Sequence, residues 1–296
     1  MNLRELEYVI ALDEEGHFNK AAERCFVSQP TLSGQLKKLE NELGVLLVER
    51  TNRRVKMTEV GSVVAEQARR VLAETKLLKS IADSYQDPMN GEMNVGLIPT
   101  IAPYLLPNII PLINKYCPKL KLWLHEHQTS ILLNKLKNAE LDLLILALPV
   151  EAIDFIEIDL YSEPFRLAVS RQNPLSKKDK ISLSELNNRK LLLLQEGHCL
   201  RGQALDICFS AGASEHNGMQ ATSLETLRHM VAEDMGITLI PELAVPKQSR
   251  KNDSIKYISF SDPQPSRRIG LLYRKNHYRE GVFLHLAKII QQHLKI

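Results

Sequence analysis

Apolar residues recur along this chain with two different periods, and the change from one to the other divides it. Near the start the period is helical: Leu3, Leu6, Val9, Ile10 and Ala11 form one stripe, opened by the capping pair Asn2 and Glu5 and closed by Gly16. A short second helix over HFNKAAERC follows. Ser28 caps a third, which tolerates Pro30 in its first turn, aligns Leu32, Leu36, Leu39 and Leu43 on one face, and stops before Gly44. LLVERTNRRVKMT then reads as two short extended pieces around the turn Thr51-Asn52-Arg53. From Thr58 to about Tyr85 the spacing predicts a long helix with Val60, Val64, Ala68, Val71, Leu78 and Ala82 along one side. So small an N-terminal unit cannot cover that stripe, which predicts a partner chain against it.

Asp87-Pro88 and Asn90-Gly91 break the chain, and beyond them strands alternate with helices. MNVGLI, KLKLWLHEH and DLLILAL read as strands, the last an almost unbroken apolar run of the kind a sheet covered on both faces requires. Helices are expected to start near Thr100 and Ser130. FIEIDLY and FRLAVS read as extended pieces on either side of Glu163-Pro164. A second series holds the capping boxes Ser182-x-x-Glu185 and Thr222-x-x-Glu225, the strands KLLLL and GITLI, and a helix over a cysteine-bearing stretch. RIGLLYR and a last helix to Leu294 close the chain. Two such series predict two α/β subdomains with a cleft between them.

With 296 residues, 44% of them hydrophobic, the chain can build two or three ordinary cores. Its longest clean apolar run, Leu143 to Val150, is far too short for a bilayer, and MNLRELEYVIALDEEG carries acids where an export signal would be apolar. A soluble cytoplasmic protein with reduced thiols is expected, without a membrane partner. The four cysteines do not match a zinc framework, so neither a metal nor a cofactor is expected. The net charge of +3 hints only weakly at anionic partners. Residues 1–86 hold 13 Lys and Arg against 13 Asp and Glu, so any case for nucleic acid rests on where the charges sit.

With the third helix's leucines turned inward, Pro30, Ser33, Gly34, Lys37 and Asn41 face outward, and Lys38 lies at the margin. Small residues let a helix sit deep in a major groove. Gln29, Thr31 and Ser33 are then within reach of base edges, and the lysines meet phosphate. Arg50, Arg53, Arg54 and Lys56 cluster at the turn, as a wing over the adjacent backbone requires. The plainer alternative is a three-helix bundle with a solvated basic rim. The pattern FNKAAERCFVSQPTLS, the tail LE-x-ELGV-x-L-x-ER and the T-x-x-G at Thr58–Gly61 closely resemble the winged helix-turn-helix of the LysR-type transcriptional regulators, and the similarity runs through the whole chain. That resemblance implies a winged helix-turn-helix over 1–57, a dimerising linker helix over 58–87, and a two-subdomain α/β regulatory domain of periplasmic-binding-protein type over 88–296. Its subdomains would comprise about 92–162 with 268–296, and about 163–267. It also implies a third helix that reads promoter DNA, with Gln29, Pro30, Thr31, Ser33, Lys37, Arg50 and Arg53 at the contact, and a homodimer or homotetramer that works with RNA polymerase.

Cys25 and Cys117 read as inert core thiols, the first in the apolar register of the second helix and the second at a helix end before Pro118. Cys199 differs. It follows His198 at the end of the strand LLLL, near a helix N-terminus, with Arg201 two residues on. Backbone N–H groups and local positive charge both favour a thiolate, which predicts a lowered pKa; a half-buried cysteine ending a strand is the equal alternative. Cys208 lies nine residues further along. If that stretch is helical, the separation is about 13 Å at about 1.5 Å per residue, well beyond the Cα spacing of about 4.4–6.8 Å that a disulfide needs. Joining the two would therefore require the segment to unwind, helped by Gly202 and Gly212.

EGHCLRGQALDICFSAG, ATSLETLRHMVA and GITLIPELAV resemble the peroxide-sensing members of the same family. The resemblance implies that Cys199 attacks hydrogen peroxide, becomes a sulfenic acid and condenses with Cys208, and that cellular thiols later reduce the bond. It gives Thr100 of GLIPTIAP, Thr129 of EHQTS, His198 and Arg267 of PSRRIGL the task of holding peroxide and steadying the thiolate, with Arg268 as the other candidate for that arginine. Thr100 and Thr129 also read as simple helix caps. Three functions remain in view. A redox-sensing regulator is favoured over a LysR-type regulator that binds a small organic ligand in the cleft. A thiol peroxidase would leave the helix-turn-helix without a purpose, so an enzyme is not expected.

Overall fold

The computed structural model describes residues 1–50, 55–84, 89–150, 154–209, 212–246 and 254–294. The chain divides into two compact units, one of residues 1–86 with 138–140 and the other of residues 87–137 and 141–296. Among the described residues, no helix is long and apolar enough to cross a membrane.

The first unit opens with α1 (Leu3–Glu15), where Asn2 Oδ1 accepts from Glu5 N at 3.0 Å and Glu5 Oε2 accepts from Asn2 N at 2.8 Å. Gly16 ends the helix in the left-handed conformation. After α2 (Phe18–Arg24), α3 (Gln29–Leu43) starts at Ser28, whose Oγ accepts from Thr31 N. Leu32, Leu36 and Leu39 are buried with Val9, Leu12, Ala21 and Leu47. Leu43 departs from the expected stripe: it is 39% exposed, because that core ends at Leu39 and the helix runs a turn past it. β1 (Val48–Arg50) and β2 (Val55–Met57) pair antiparallel, with the turn Thr51–Arg53 outside the described residues.

α4 (Glu59–Ser84) is held at its start by Thr58, whose Oγ1 donates to Leu46 O and accepts from Gly61 N. A Cβ on Gly61 would lie 2.0 Å from Leu47 O, so only glycine lets the helix come this close. A Gly61→Ala chain should therefore lose about 1–3 kcal/mol of stability in this unit, read as a lower urea midpoint of its circular dichroism. Of the predicted stripe, Ala68 is buried by the unit itself, while Val60, Val71 and Leu78 remain 46%, 37% and 69% exposed. Tyr85 and the break at Asp87-Pro88 lie outside the described residues.

The second unit alternates as expected at first: β3 (Gly91–Leu97), α5 (Ala102–Tyr116), β4 (Leu120–Glu126), α6 (Thr129–Lys137) and β5 (Leu143–Leu148). FIEIDLY and FRLAVS form one strand, β6 (Phe155–Ser170), because Pro164 sits inside it without ending it. The second series is β7 (Lys180–Ile181), β8 (Lys190–Leu194), α7 (Cys199–Phe209), β9 (Ser214–Ala221), α8 (Leu224–Ala232) and β10 (Thr238–Pro241). It ends with β11 (Ile255–Phe260), β12 (Ser266–Arg274) and α9 (Glu280–His293). The Thr222 capping box is displaced by one residue: Ser223 is the cap, its Oγ accepting from Thr226 N at 3.1 Å. β9 and β11 have no counterpart in the sequence reading.

Strand order in the main sheet is β4-β3-β5-β12-β6-β11-β7, with β10 also on β6. The first part of β6 pairs antiparallel with β12, and the second part pairs with β10 and β11. One long strand thus serves two cores. One gathers Leu97, Leu146, Ile269 and Phe283; the other gathers Phe165, Leu167, Leu193 and Leu239. β8 and β9 form a separate parallel pair, and α7 joins them. The point where β6 passes from one core to the other is where the chemistry collects.

Candidate functional site

Cys199 opens α7 just after β8 ends. Gly197 turns the chain between them with φ 90°, a conformation that L side chains resist, and a Cβ there would lie 2.5 Å from Gln128 Oε1. The small recess beside the sulfur is lined by Thr100, Gln128, Thr129 and His198 together with Ile98, Pro99 and Gly197. The structure therefore brings together Thr100, Thr129 and the adjacent pair His198 and Cys199, from three distant stretches of sequence.

Arg267 reaches the site from β12. Strand parity turns it inward, to 3% exposure, and turns Arg268 outward, where it pairs with Asp159 at 2.7 Å. Of the two adjacent arginines, Arg267 is the one whose charge bears on Cys199. Its Nε donates to Glu163 Oε2 at 2.8 Å, Nη1 to Thr100 Oγ1 at 3.1 Å, and Nη2 to Thr100 O at 3.0 Å. Nη2 also lies 2.8 Å from Glu163 Oε2. A guanidinium carries five N–H groups, and the three hydrogen bonds leave one on each Nη without a partner among the described residues.

Thr100 does not cap a helix. α5 begins at Ala102 behind Ile101, and the Thr100 hydroxyl accepts from Arg267 instead, which directs its own proton elsewhere. Thr129 is the first residue of α6, and its buried Oγ1 has no hydrogen-bond partner among the described residues. A hydroxyl in this place favours the ionised form of Cys199.

Burial pushes the Cys199 thiol above its ordinary range, and Arg267, the Thr129 hydroxyl and the Leu200 backbone N–H pull it back only in part. This corrects the expected lowered pKa: the helix N-terminus and the positive charge are present, but desolvation outweighs them. Two of the expected contributors are engaged otherwise. Arg201 forms a two-point pair with Glu215, both contacts at 2.8 Å, and donates to Leu194 O. His198 has its pKa lowered by burial, so the imidazole is neutral at neutral pH and brings no positive charge.

Cys208 is fully buried among leucines, and burial alone pushes its thiol up to about 12. Both thiols are free and lie on one unbroken helix. Nine residues of helix separate them by about 13 Å, so no bond can form in this arrangement. Cys25 and Cys117, at the C-terminal ends of α2 and α5, are pushed up by burial in the same way.

Sequence reasoning missed Glu163, which it used only to mark a break beside Pro164. A signal was available. In an extended strand Glu163 shares parity with Phe165, Leu167 and Val169, and an acid on that inward set must have a buried partner.

On the N-terminal unit, Pro30, Thr31, Lys37, Lys38 and Asn41 are exposed on α3, and Gln29 and Ser33 are half-buried. The Thr31 hydroxyl is paired with Ser28 Oγ at 2.7 Å. Arg50 ends β1, where the description stops at its backbone, and Arg53 and Arg54 lie outside the described residues. Lys38 pairs with the buried Glu5 at 3.5 Å.

Two family models match. Residues 3–62 match the bacterial regulatory helix-turn-helix of the lysR family, and residues 86–295 match the LysR substrate binding domain. The chain is 49% identical over 296 residues to the hydrogen peroxide-inducible genes activator of Dickeya chrysanthemi, covering 100% of this chain and 97% of that one. A full-length OxyR of Pseudomonas aeruginosa, carrying a cysteine-to-aspartate substitution, superposes with a TM-score of 0.76 at 38% identity, over 98% of this chain and 95% of the other. The oxidized form of an OxyR superposes with a TM-score of 0.65 at 46% identity, over 70% of this chain and 97% of the other. With a helix-turn-helix and an α/β regulatory domain both matched, and this identity along its full length, the chain belongs to the LysR family of bacterial transcription regulators, in its OxyR branch.

Proposed function

We propose that this protein is a promoter-binding regulator that senses hydrogen peroxide through Cys199 and Cys208 and activates antioxidant genes. The observation that carries the reading is the set of donors around one half-buried sulfur at a helix start, with a second cysteine locked further along the same helix. A thiolate at Cys199 attacks one peroxide oxygen and the O–O bond breaks. The departing hydroxide takes a proton and leaves as water, and the sulfur is left as a sulfenic acid. The spare N–H groups of Arg267 and the hydroxyls of Thr100 and Thr129 are suited to the charge that sits on sulfur before the attack and builds on the leaving oxygen during it. The Cys208 thiol, once deprotonated, attacks the sulfenic sulfur; the S–O bond breaks, a second water leaves, and a disulfide remains. Cellular thiols or dithiols supply the two electrons that reverse it.

Because α7 holds the cysteines apart, that second step has to unwind the helix and release Arg201 from Glu215. Oxidation is thereby converted into a change of shape. A single chemical event per signal suits a regulator and not a turning-over enzyme.

In this reading the chain is a winged helix-turn-helix over 1–57, a linker helix over 58–87 and a sensing domain over 88–296, acting in the cytoplasm. Gln29, Pro30, Thr31, Ser33, Lys37, Arg50 and Arg53 meet promoter DNA. The exposed Val60, Val71 and Leu78 of α4 support a homodimer, assembled further into a homotetramer that engages RNA polymerase. Peptide mapping by mass spectrometry after brief exposure of the reduced protein to micromolar peroxide tests the sensing step. A Cys199–Cys208 linkage is the expected product. Its absence, with both thiols still reduced, returns the chain to the organic-ligand reading.

A further inference from the structure

Arg267 is the positive charge nearest in effect to the sensing sulfur, yet it is not a bare cation. It lies directly across the β6–β12 pairing from Glu163, and both side chains are 1% exposed. The carboxylate is fixed from two sides. Its Oε2 takes the Arg267 Nε and Nη2 contacts, both at 2.8 Å, and its Oε1 accepts from the Leu243 backbone N–H at 2.9 Å. Leu243 lies in the short turn Glu242–Ala244 that follows β10, and β10 is itself paired with β6. Glu163 therefore cannot swing away from the guanidinium without tearing a backbone hydrogen bond. Arg267 cannot turn either, because Thr100 holds its far side at 3.1 and 3.0 Å.

The electrostatic consequence follows from Coulomb's law. A lone buried cation would act on the thiol with the full field of a charge, enough to move a neighbouring acid by about 1–3 pH units. A cation locked against an anion acts as a dipole, whose field is weaker and falls off faster. Tyr161, on the same strand face as Glu163, registers the pair in this way: burial pushes its hydroxyl up, Glu163 adds to that, and Arg267 opposes it.

Resting on the sensing function above, we propose that Glu163 is a positioning residue of the peroxide sensor. It fixes the fork of Arg267 in one place beside the sensing site, and it offsets the arginine's charge so that the resting cysteine stays a thiol. Glu163 thereby sets the threshold at which the sensor ionises and responds.

The test is the pH profile of Cys199 alkylation by iodoacetamide, read by peptide mass spectrometry on the reduced full-length chain carrying Cys208→Ser. This readout needs no peroxide. A chain that failed to react with peroxide would sink the sensing function and leave the test of Glu163 intact. Glu163→Gln keeps the shape and an acceptor oxygen but removes the charge, and its alkylation midpoint should fall by about one pH unit, with about tenfold faster labelling below it. Glu163→Asp keeps the charge with a shorter reach, and its midpoint should not fall. The double variant Arg267→Gln/Glu163→Gln should have its midpoint above that of Glu163→Gln alone, since the fall needs the arginine's uncompensated charge. That neutral pair also carries the test if the single Gln variant does not fold, because an ion pair removed whole is tolerated better than one broken in half. A Gln midpoint that stays or rises, a fall shared by Gln and Asp, or a shift that persists without the Arg267 charge would each overturn the proposal.

Discussion

Replacing Cys199 by Ser should leave promoter binding by the reduced protein intact and abolish its response to peroxide. The substitution exchanges sulfur for oxygen at the start of α7 and removes little volume from the recess, so the fold should survive it. The chemistry should not. A serine hydroxyl has no accessible anionic form at neutral pH, and neither Arg267 nor the Thr129 hydroxyl can supply the deficit. Without the first sulfur there is no sulfenic acid, so Cys208 has nothing to attack. The expected result is a reporter fused to a regulated promoter whose output stays at its unstressed level when peroxide is added, together with gel-shift binding equal to that of the reduced parent. A Cys199→Ser protein that still switched its promoter would refute the sensing role assigned to this residue.

Arg267→Met should produce the second large effect, on rate and stability together. Arg267 is the leading force pulling the Cys199 thiol back against burial, so its loss should carry the pKa further upward. Only the thiolate attacks, and its fraction at a fixed pH falls about tenfold for each unit. An opposite charge at this range is worth about 1–3 units, so oxidation at pH 7 should slow by about ten- to a thousandfold. The sign gives a signature: the variant's deficit narrows as pH rises, because raising the pH restores thiolate. Stopped-flow oxidation of the reduced variant and parent across pH 6–10 would measure it. The same change leaves Glu163 buried without its cation, which typically costs about 3–5 kcal/mol. A denaturant midpoint close to the parent's would show that the pair holds less of the structure together than its burial implies.

Both effects depend on residues that the chain brings together from five distant stretches. Thr100 follows β3, Thr129 begins α6, Glu163 lies mid-strand in β6, Cys199 begins α7, and Arg267 lies near the start of β12. No spacing rule links such positions, so the residues reading alone could assign a reactive cysteine only as one of two even alternatives. It was also misled about the thiol's neighbours. His198 and Arg201 are adjacent in sequence, but one is neutral and the other is turned to Glu215. Adjacent residues dominate a linear reading, whereas Cys199 responds to charge across strands.

What the sequence determined by itself was everything local or periodic. The caps at Asn2, Ser28 and Ser182, the stops at Gly16 and Gly44, the leucine stripe of α3, the alternation of strands and helices after residue 90, and the nine-residue spacing of the cysteines all follow from contacts within a few positions. Local rules failed where a tertiary contact outweighed them. Pro164 stays inside a strand because β12 holds it in extended pairing, and β9 and β11 form because neighbouring strands supply their hydrogen bonds. Which arginine faces the sulfur was decided by the register of β12 against β6. Whether the thiol ionises readily was decided by burial, a property no short stretch of chain possesses until the rest of the fold has closed around it.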